Sequence, residues 1–156
     1  MRALLLGIGL ALGLAGCSED PPAEDRLKQA IAAVVKAVEQ GESREAGDLL
    51  HPDYRDDRHP DKRSALASLF WYTRQHRNIH LFTLVHDVEI DEGAGEARTT
   101  VLVAMAGVPL ESVETVISVR ADLYRFDVDW RLEVDDWLVS SSRWQRADLS
   151  SLSDVL

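Results

Sequence analysis

The run Tyr124-Arg125-Phe126-Asp127-Val128-Asp129-Trp130-Arg131-Leu132-Glu133-Val134 alternates apolar and charged residues without a break. Successive side chains of an extended chain point to opposite faces, so Tyr124, Phe126, Val128, Trp130, Leu132 and Val134 share one face of a strand. Arg125, Asp127, Asp129, Arg131 and Glu133 share the other. One face is core and one is wet, the pattern of an antiparallel sheet covered on a single side. Asp135-Asp136 is the best two-residue turn nearby, and Trp137 to Arg146 returns as the last strand. Pairing Val134 with Trp137 sets Leu132 against Val139, Trp130 against Ser141 and Val128 against Arg143, all on the apolar face, and Trp144 against Asp127 on the outer face. A bulge in strands this long would invert that parity locally.

Working backward, the same strand is expected to begin near Ser112, after a turn at Gly107 to Leu110 and a strand from Glu96 to Met105. Asp91-Glu92-Gly93-Ala94-Gly95 reverses the chain before that. From Ile79 the period is also two, with His80, Phe82, Leu84, His86, Val88 and Ile90 alternating with Leu81, Thr83, Val85, Asp87 and Glu89. Ahead of the strands the period is helical. Leu27, Ile31, Val34 and Val38 form one stripe that ends at Gly41; Ser43 caps a shorter helix that cannot pass His51, because Pro52 disfavours helical geometry before it. Pro60 opens a third helix running to about Arg77, whose broad apolar face of Ala65, Leu66, Leu69, Phe70, Tyr72 and Thr73 calls for a sheet as cover.

The N-terminus carries an address. Arg2 is a positive n-region, Ala3 to Leu14 is an apolar run too short to span a bilayer, and Leu14-Ala15-Gly16-Cys17 ends it with the single cysteine of the chain. These four residues resemble the lipobox of bacterial lipoproteins. The resemblance implies cleavage before Cys17, acylation of that residue, and attachment to the cell envelope through acyl chains rather than through protein surface. Ser18 follows where an aspartate commonly marks inner-membrane retention, so the resemblance favours the outer membrane, facing the periplasm. With Cys17 acylated no disulfide is available, and no cofactor is implied. The chain holds 27 Asp and Glu against 17 Lys and Arg, a formal net charge of −10, and losing Arg2 makes it one unit more negative. Such a surface repels nucleic acid, and no basic cluster with interleaved aromatics compensates.

Residues 1–16 thus read as a signal segment, 17–23 as lipidated cysteine and tether, 24–148 as one domain and 149–156 as a tail. Three helices followed by a curved antiparallel sheet of four or more strands make an α+β roll. At this point the chain resembles the nuclear transport factor 2-like superfamily, the cone fold of ketosteroid isomerases and polyketide cyclases, through Ala46-Gly47-Asp48-Leu49-Leu50-His51-Pro52-Asp53-Tyr54, Asp87-Val88-Glu89-Ile90, Asp135-Asp136-Trp137 and Ser142-Arg143-Trp144. None of these is a catalytic motif, and a cone fold does not by itself select an activity.

Candidates for chemistry fall where such a cone opens. Arg143, set by the pairing above among Val128 and Trp130, would need an acid or an anionic ligand; Tyr124 and Trp130 are its neighbours in a ligand site. The bland alternative is an arginine at the rim and tryptophans that are simply core. His86 with Asp122 or Tyr124 could form an acid–base set like those the superfamily's isomerases and dehydratases use. His80 and His86 share a face but stand roughly 20 Å apart, too far for a common metal, and no metal set completes itself elsewhere. Trp144 beside Leu138 on the outer face could anchor a homodimer. No nucleophile elbow, phosphate loop or dinucleotide fingerprint is present. Three readings remain: a non-enzymatic domain binding a small ligand or an envelope protein, a pocket enzyme of the isomerase or cyclase kind, and a structural lipoprotein.

Overall fold

A computed structural model describes residues 21–153. The signal segment, Cys17 and most of the tether lie outside them. Nine elements follow: α1 (Ala23–Gln40), α2 (Ser43–Asp48), α3 (Lys62–Gln75), β1 (His80–Asp91), β2 (Glu96–Ala106), α4 (Val113–Ser118), β3 (Asp122–Glu133), β4 (Asp136–Arg146) and α5 (Ser150–Ser153). The strands form one antiparallel sheet in the order β1-β2-β3-β4. The molecule is the expected α+β cone.

α1 ends as its sequence says. Gly41 takes φ 67°, its N–H bonds to the Val38 carbonyl, and the Glu42 N–H reaches back to Ala37. α3 begins two residues beyond Pro60, because Asp61 and Ser64 close a reciprocal capping box, and it stops at His76 rather than Asn78. Between them the segment Leu49–Arg55 runs beside β4. The His51 N–H donates to the Val139 carbonyl, the Val139 N–H to Leu49 and the Arg55 N–H to Ser140, so the first half of this edge strand is covered.

Three expectations about the sheet need correction. The residues before β3 are not strand: Ser112 accepts the Thr115 N–H and starts α4, which buries Val116 and is followed, after Val119, by Arg120 at φ 52°. The β3–β4 turn is Val134-Asp135, with Val134 at φ 58°, so Leu132 faces Trp137 and Trp130 faces Val139. A bulge between Asp129 and Trp130 then shifts the register, leaving Asp127 opposite Arg143 and Phe126 opposite Trp144. Arg143 therefore lies on the outer face and Trp144 on the inner one, the reverse of the sequence-derived pairing. Leu138 stays outside with Arg131, so Trp144 and Leu138 make no common dimer patch.

β1 has its own bulge between Val85 and Asp87. It brings Leu81, Val85, Val88 and Ile90 to the helix-covered face and leaves Phe82 and Leu84 outside, so the assumed facing of His80 with Val88 does not hold. Two clusters result. Leu27, Ile31, Tyr54, Val101, Val103, Val128, Trp130, Trp137 and Val139 fill the space under the helices. On the opposite face Leu102, Ala104, Leu110, Val116, Leu123 and Leu152 make a second cluster, roofed by α4 and α5. The outer face is wet only beyond that roof, where Arg98 meets Asp129 at 3.0 Å and Arg125 meets Asp127 at 3.3 Å.

Candidate binding site at the mouth of the cone

The apex of the cone is packed solid by Leu27, Ile31, Trp130 and Trp137, whereas no residue of α3 is fully buried. The helix-side face of β3 and β4 is consequently exposed toward its far end. Trp144 stays 39 % exposed there, edge-on to Tyr124 with ring centroids 5.5 Å apart and nearly parallel to Phe126 at 6.2 Å. The Arg58 guanidinium sits 3.6 Å above the Trp144 ring, within the range of a favourable cation–π contact. Arg146 pairs with Asp122, and its guanidinium carbon is 6.0 Å from the Tyr124 ring. From α3, the Tyr72 hydroxyl donates to Met105 Sδ at 2.8 Å. Burial raises the Tyr72 pKa, with the neighbouring Tyr124 and Asp122 adding to the shift.

Of the residues singled out in the sequence, Tyr124 and Asp122 meet here, joined by Trp144, which was expected on the outer face; Trp130, Arg143 and His86 do not. Trp130 is 3 % exposed and its indole N–H donates to Thr99 Oγ1 at 2.9 Å, which makes it core. Arg143 lies 3.8 Å from Asp129 on the outer face. His86 is exposed at the β1 bulge, two strands from Tyr124, and its side chain makes no hydrogen bond among the described residues. Among the described residues no group of three His, Cys, Asp or Glu could hold a metal.

Sequence reasoning missed a chain of hydrogen bonds beside the mouth. The Tyr54 hydroxyl donates to Asp56 Oδ2 at 2.5 Å, which leaves the Ser142 hydroxyl to donate to Tyr54 at 2.9 Å. His59 Nδ1 donates to the same carboxylate at 3.0 Å. In the neutral ring Nε2 is then the acceptor, and Ser68 donates to it at 2.9 Å. Burial would raise the Asp56 pKa, but the bonds from Tyr54, His59 and the backbone N–H groups of Arg58 and His59 outweigh it and hold the carboxyl below its ordinary value. Burial and the bond to Asp56 push the Tyr54 phenol far up. Ser68, His59 and Asp56 stand in the order nucleophile, base, acid. Ser68 lies in the middle of α3, however, where its backbone N–H is spent in the helix and cannot stabilise an oxyanion. The string ties α3 and β4 to the loop bearing Arg58. Asp56 and His59 three residues apart after Tyr54 were its only sequence signal, and they read as an irregular charged loop.

A broad groove of about 1030 Å³ lies on the other side of that loop, walled by Asp53, Arg55, Asp61, Glu89, Arg98 and Asp129. Its walls are mainly charged; Arg98 pairs with Asp129 and Asp61 caps α3, while Asp53, Arg55 and Glu89 make no ion pair among the described residues. His51, buried next to its wall residues Pro52 and Asp53 in sequence, accepts the Asp53 N–H on Nδ1 and so donates from Nε2 to Glu133 at 2.9 Å. That histidine is a fixed strut.

Neither a sequence-family profile nor a curated protein matches the chain. Solved structures do. A nuclear transport factor 2-like protein of unknown function from Silicibacter pomeroyi superposes with a TM-score of 0.58 at 11 % identity, over 80 % of this chain and 95 % of that one. A domain of unknown function with a cystatin-like fold from Nostoc punctiforme gives 0.59 at 12 % identity, over 83 % and 81 %. A candidate dehydratase of the nuclear transport factor 2-like family from Streptomyces avermitilis gives 0.57 at 17 % identity, over 80 % and 95 %. The chain thus has the fold of the nuclear transport factor 2-like and cystatin-like cones.

Proposed function

We propose that this chain is a lipid-anchored protein of the bacterial envelope, held at the outer membrane by acyl groups on Cys17, whose cone domain faces the periplasm and binds a ligand without transforming it. The ligand class that fits the mouth is a flat group carrying a carboxylate or phosphate, free or at the surface of a protein partner. The observation that carries this reading is the Arg58 guanidinium over the partly exposed Trp144, with Tyr124, Phe126 and Arg146 beside it. Aromatic faces supply stacking area and Arg58, which makes no ion pair among the described residues, supplies charge. An acid–base enzyme is less well supported: Asp122 is engaged by Arg146, and His86 does not reach either Asp122 or Tyr124.

The test is native mass spectrometry of the full-length protein taken from its host envelope in mild detergent. A bound small molecule or protein that is lost in Arg58→Ala with Trp144→Ala, and kept in the outer-face variant Arg143→Ala, is the expected result. Retention in the double variant would overturn the mouth as the site. Cys17→Ser is expected to release the chain from the membrane fraction.

A second reading has one observation behind it, the Ser68–His59–Asp56 string. If it activates Ser68, a fluorophosphonate probe labels that residue and His59→Gln abolishes labelling. An unlabelled Ser68 leaves the string a structural tie.

A further inference from the structure

We infer that the outward face of α3 is a docking surface for an anionic phospholipid bilayer. On a chain of net charge −10, the segment from Lys62 to His86 contains no Asp or Glu, and it carries Lys62, Arg63, Arg74 and Arg77. Positions 63, 67, 70, 71 and 74 recur at helical spacing and share one face of α3. Arg63, Ala67, Phe70, Trp71 and Arg74 are all exposed, Trp71 at 62 % and Phe70 at 41 %. Phe70 and Trp71 meet edge-on at 5.8 Å, and Arg74 lies 5.4 Å over Phe70. Among the described residues Arg63, Arg74 and Arg77 make no ion pair, so their charge is free to act outward.

Two large aromatics among unpaired arginines suit the boundary between headgroups and acyl chains, where amphipathic rings settle and basic side chains meet phosphates. Two other exposed surfaces suit it badly. The outer sheet presents Asp87, Glu89, Asp91 and Glu96, and α1 opens with Glu24 and Asp25. Nearness to the bilayer rests on the lipid-anchor reading. Five residues separate Cys17 from Ala23 at the start of α1, and a fully extended chain over those six Cα steps reaches only about 20 Å, so some face of the domain must lie close to the headgroups. α3 is the face whose charge and ring content match.

The full-length protein, acylated as its host makes it, is reconstituted in vesicles of brominated phosphatidylcholine with or without phosphatidylglycerol, and tryptophan emission is read. Wild type should be quenched more than Trp71→Phe in vesicles that contain phosphatidylglycerol. Arg63→Gln with Arg74→Gln should abolish that difference while leaving the circular dichroism spectrum unchanged. Equal quenching of wild type and Trp71→Phe overturns the proposal, and so does a Trp71 signal indifferent to phosphatidylglycerol or one shielded in a homodimer. The mass of the Cys17 peptide reads anchoring separately. Acyl groups with Trp71 unquenched sink the docking face and keep the anchor; an unacylated chain whose Trp71 still enters the anionic vesicles does the reverse.

Discussion

Tyr54 stands where a loop, a helix and an edge strand meet, with its single proton committed to Asp56 and its oxygen accepting from Ser142. Removing the hydroxyl in Tyr54→Phe strands two partly buried groups, and the expected loss is about 1–3 kcal/mol in urea denaturation. The pH dependence has two limbs. The Asp56 carboxyl is depressed in the fold, so its contribution is complete above the unfolded value near 3.8 and disappears as pH falls through the lower folded value. The Tyr54 phenol is raised, so its contribution is complete below about pH 10 and disappears as pH rises further. Spectrophotometric titration at 295 nm should show a tyrosine step displaced well above the ordinary phenol range while the protein stays folded, and Tyr54→Phe should remove the most displaced step. None of this was legible beforehand, because a tyrosine, an aspartate and a histidine within six residues specify no geometry until Ser142 and Ser68 arrive from distant elements.

Elements were read well wherever burial enforces one period, and poorly where several local choices bury the same surface. The alternation from Tyr124 to Glu133 assigned the faces of β3 correctly, whereas Val134, read as the last residue of the core face, lies in the turn and is exposed. The hairpin turn was misplaced by one residue, which changes the pairing by two positions and keeps Leu132 and Trp137 on the covered side either way. Burial could not separate the two registers, so turn chemistry alone favoured Asp135-Asp136, and the fold instead places Val134 at a positive φ. Val134 is 92 % exposed, so the position has strain and no packing role. Val134→Gly should raise the midpoint of urea unfolding by about 1 kcal/mol equivalent, since left-handed geometry costs a residue with a β-carbon that much. The β4 bulge was invisible for a related reason. Ser140-Ser141-Ser142 has no preference for either face, so one residue slips at little cost, and the slip puts Trp144 against Phe126 in place of Arg143 against Val128. α4 was missed because Val113, Thr115, Val116 and Ile117 read as strand, and its terminator is Arg120 rather than glycine.

At the scale of the whole molecule the cone was legible from element order, and its mouth only in part. Tyr124 and Asp122 were placed from β3, whereas Arg58, Trp144 and Tyr72 come from a loop, a bulged strand and a helix that only the tertiary structure gathers. Loop and mouth should therefore respond together. His59→Ala, which cuts the tie to Ser68, is expected to weaken ligand retention in the native mass spectrum even though His59 does not touch the Trp144 ring among the described contacts, and unchanged retention would show that Arg58 is positioned without it. The covered edge of β4 bears on a different property. A sheet that adds copies of itself needs two free borders, one to accept a neighbour and one to offer the next. Here Leu49–Arg55 occupies the upper half of one border, and β1 holds the other behind its own irregularity. An incoming strand would have to peel that segment away to reach Val139 and Ser140, so growth through that part of the border starts only from a partly opened molecule.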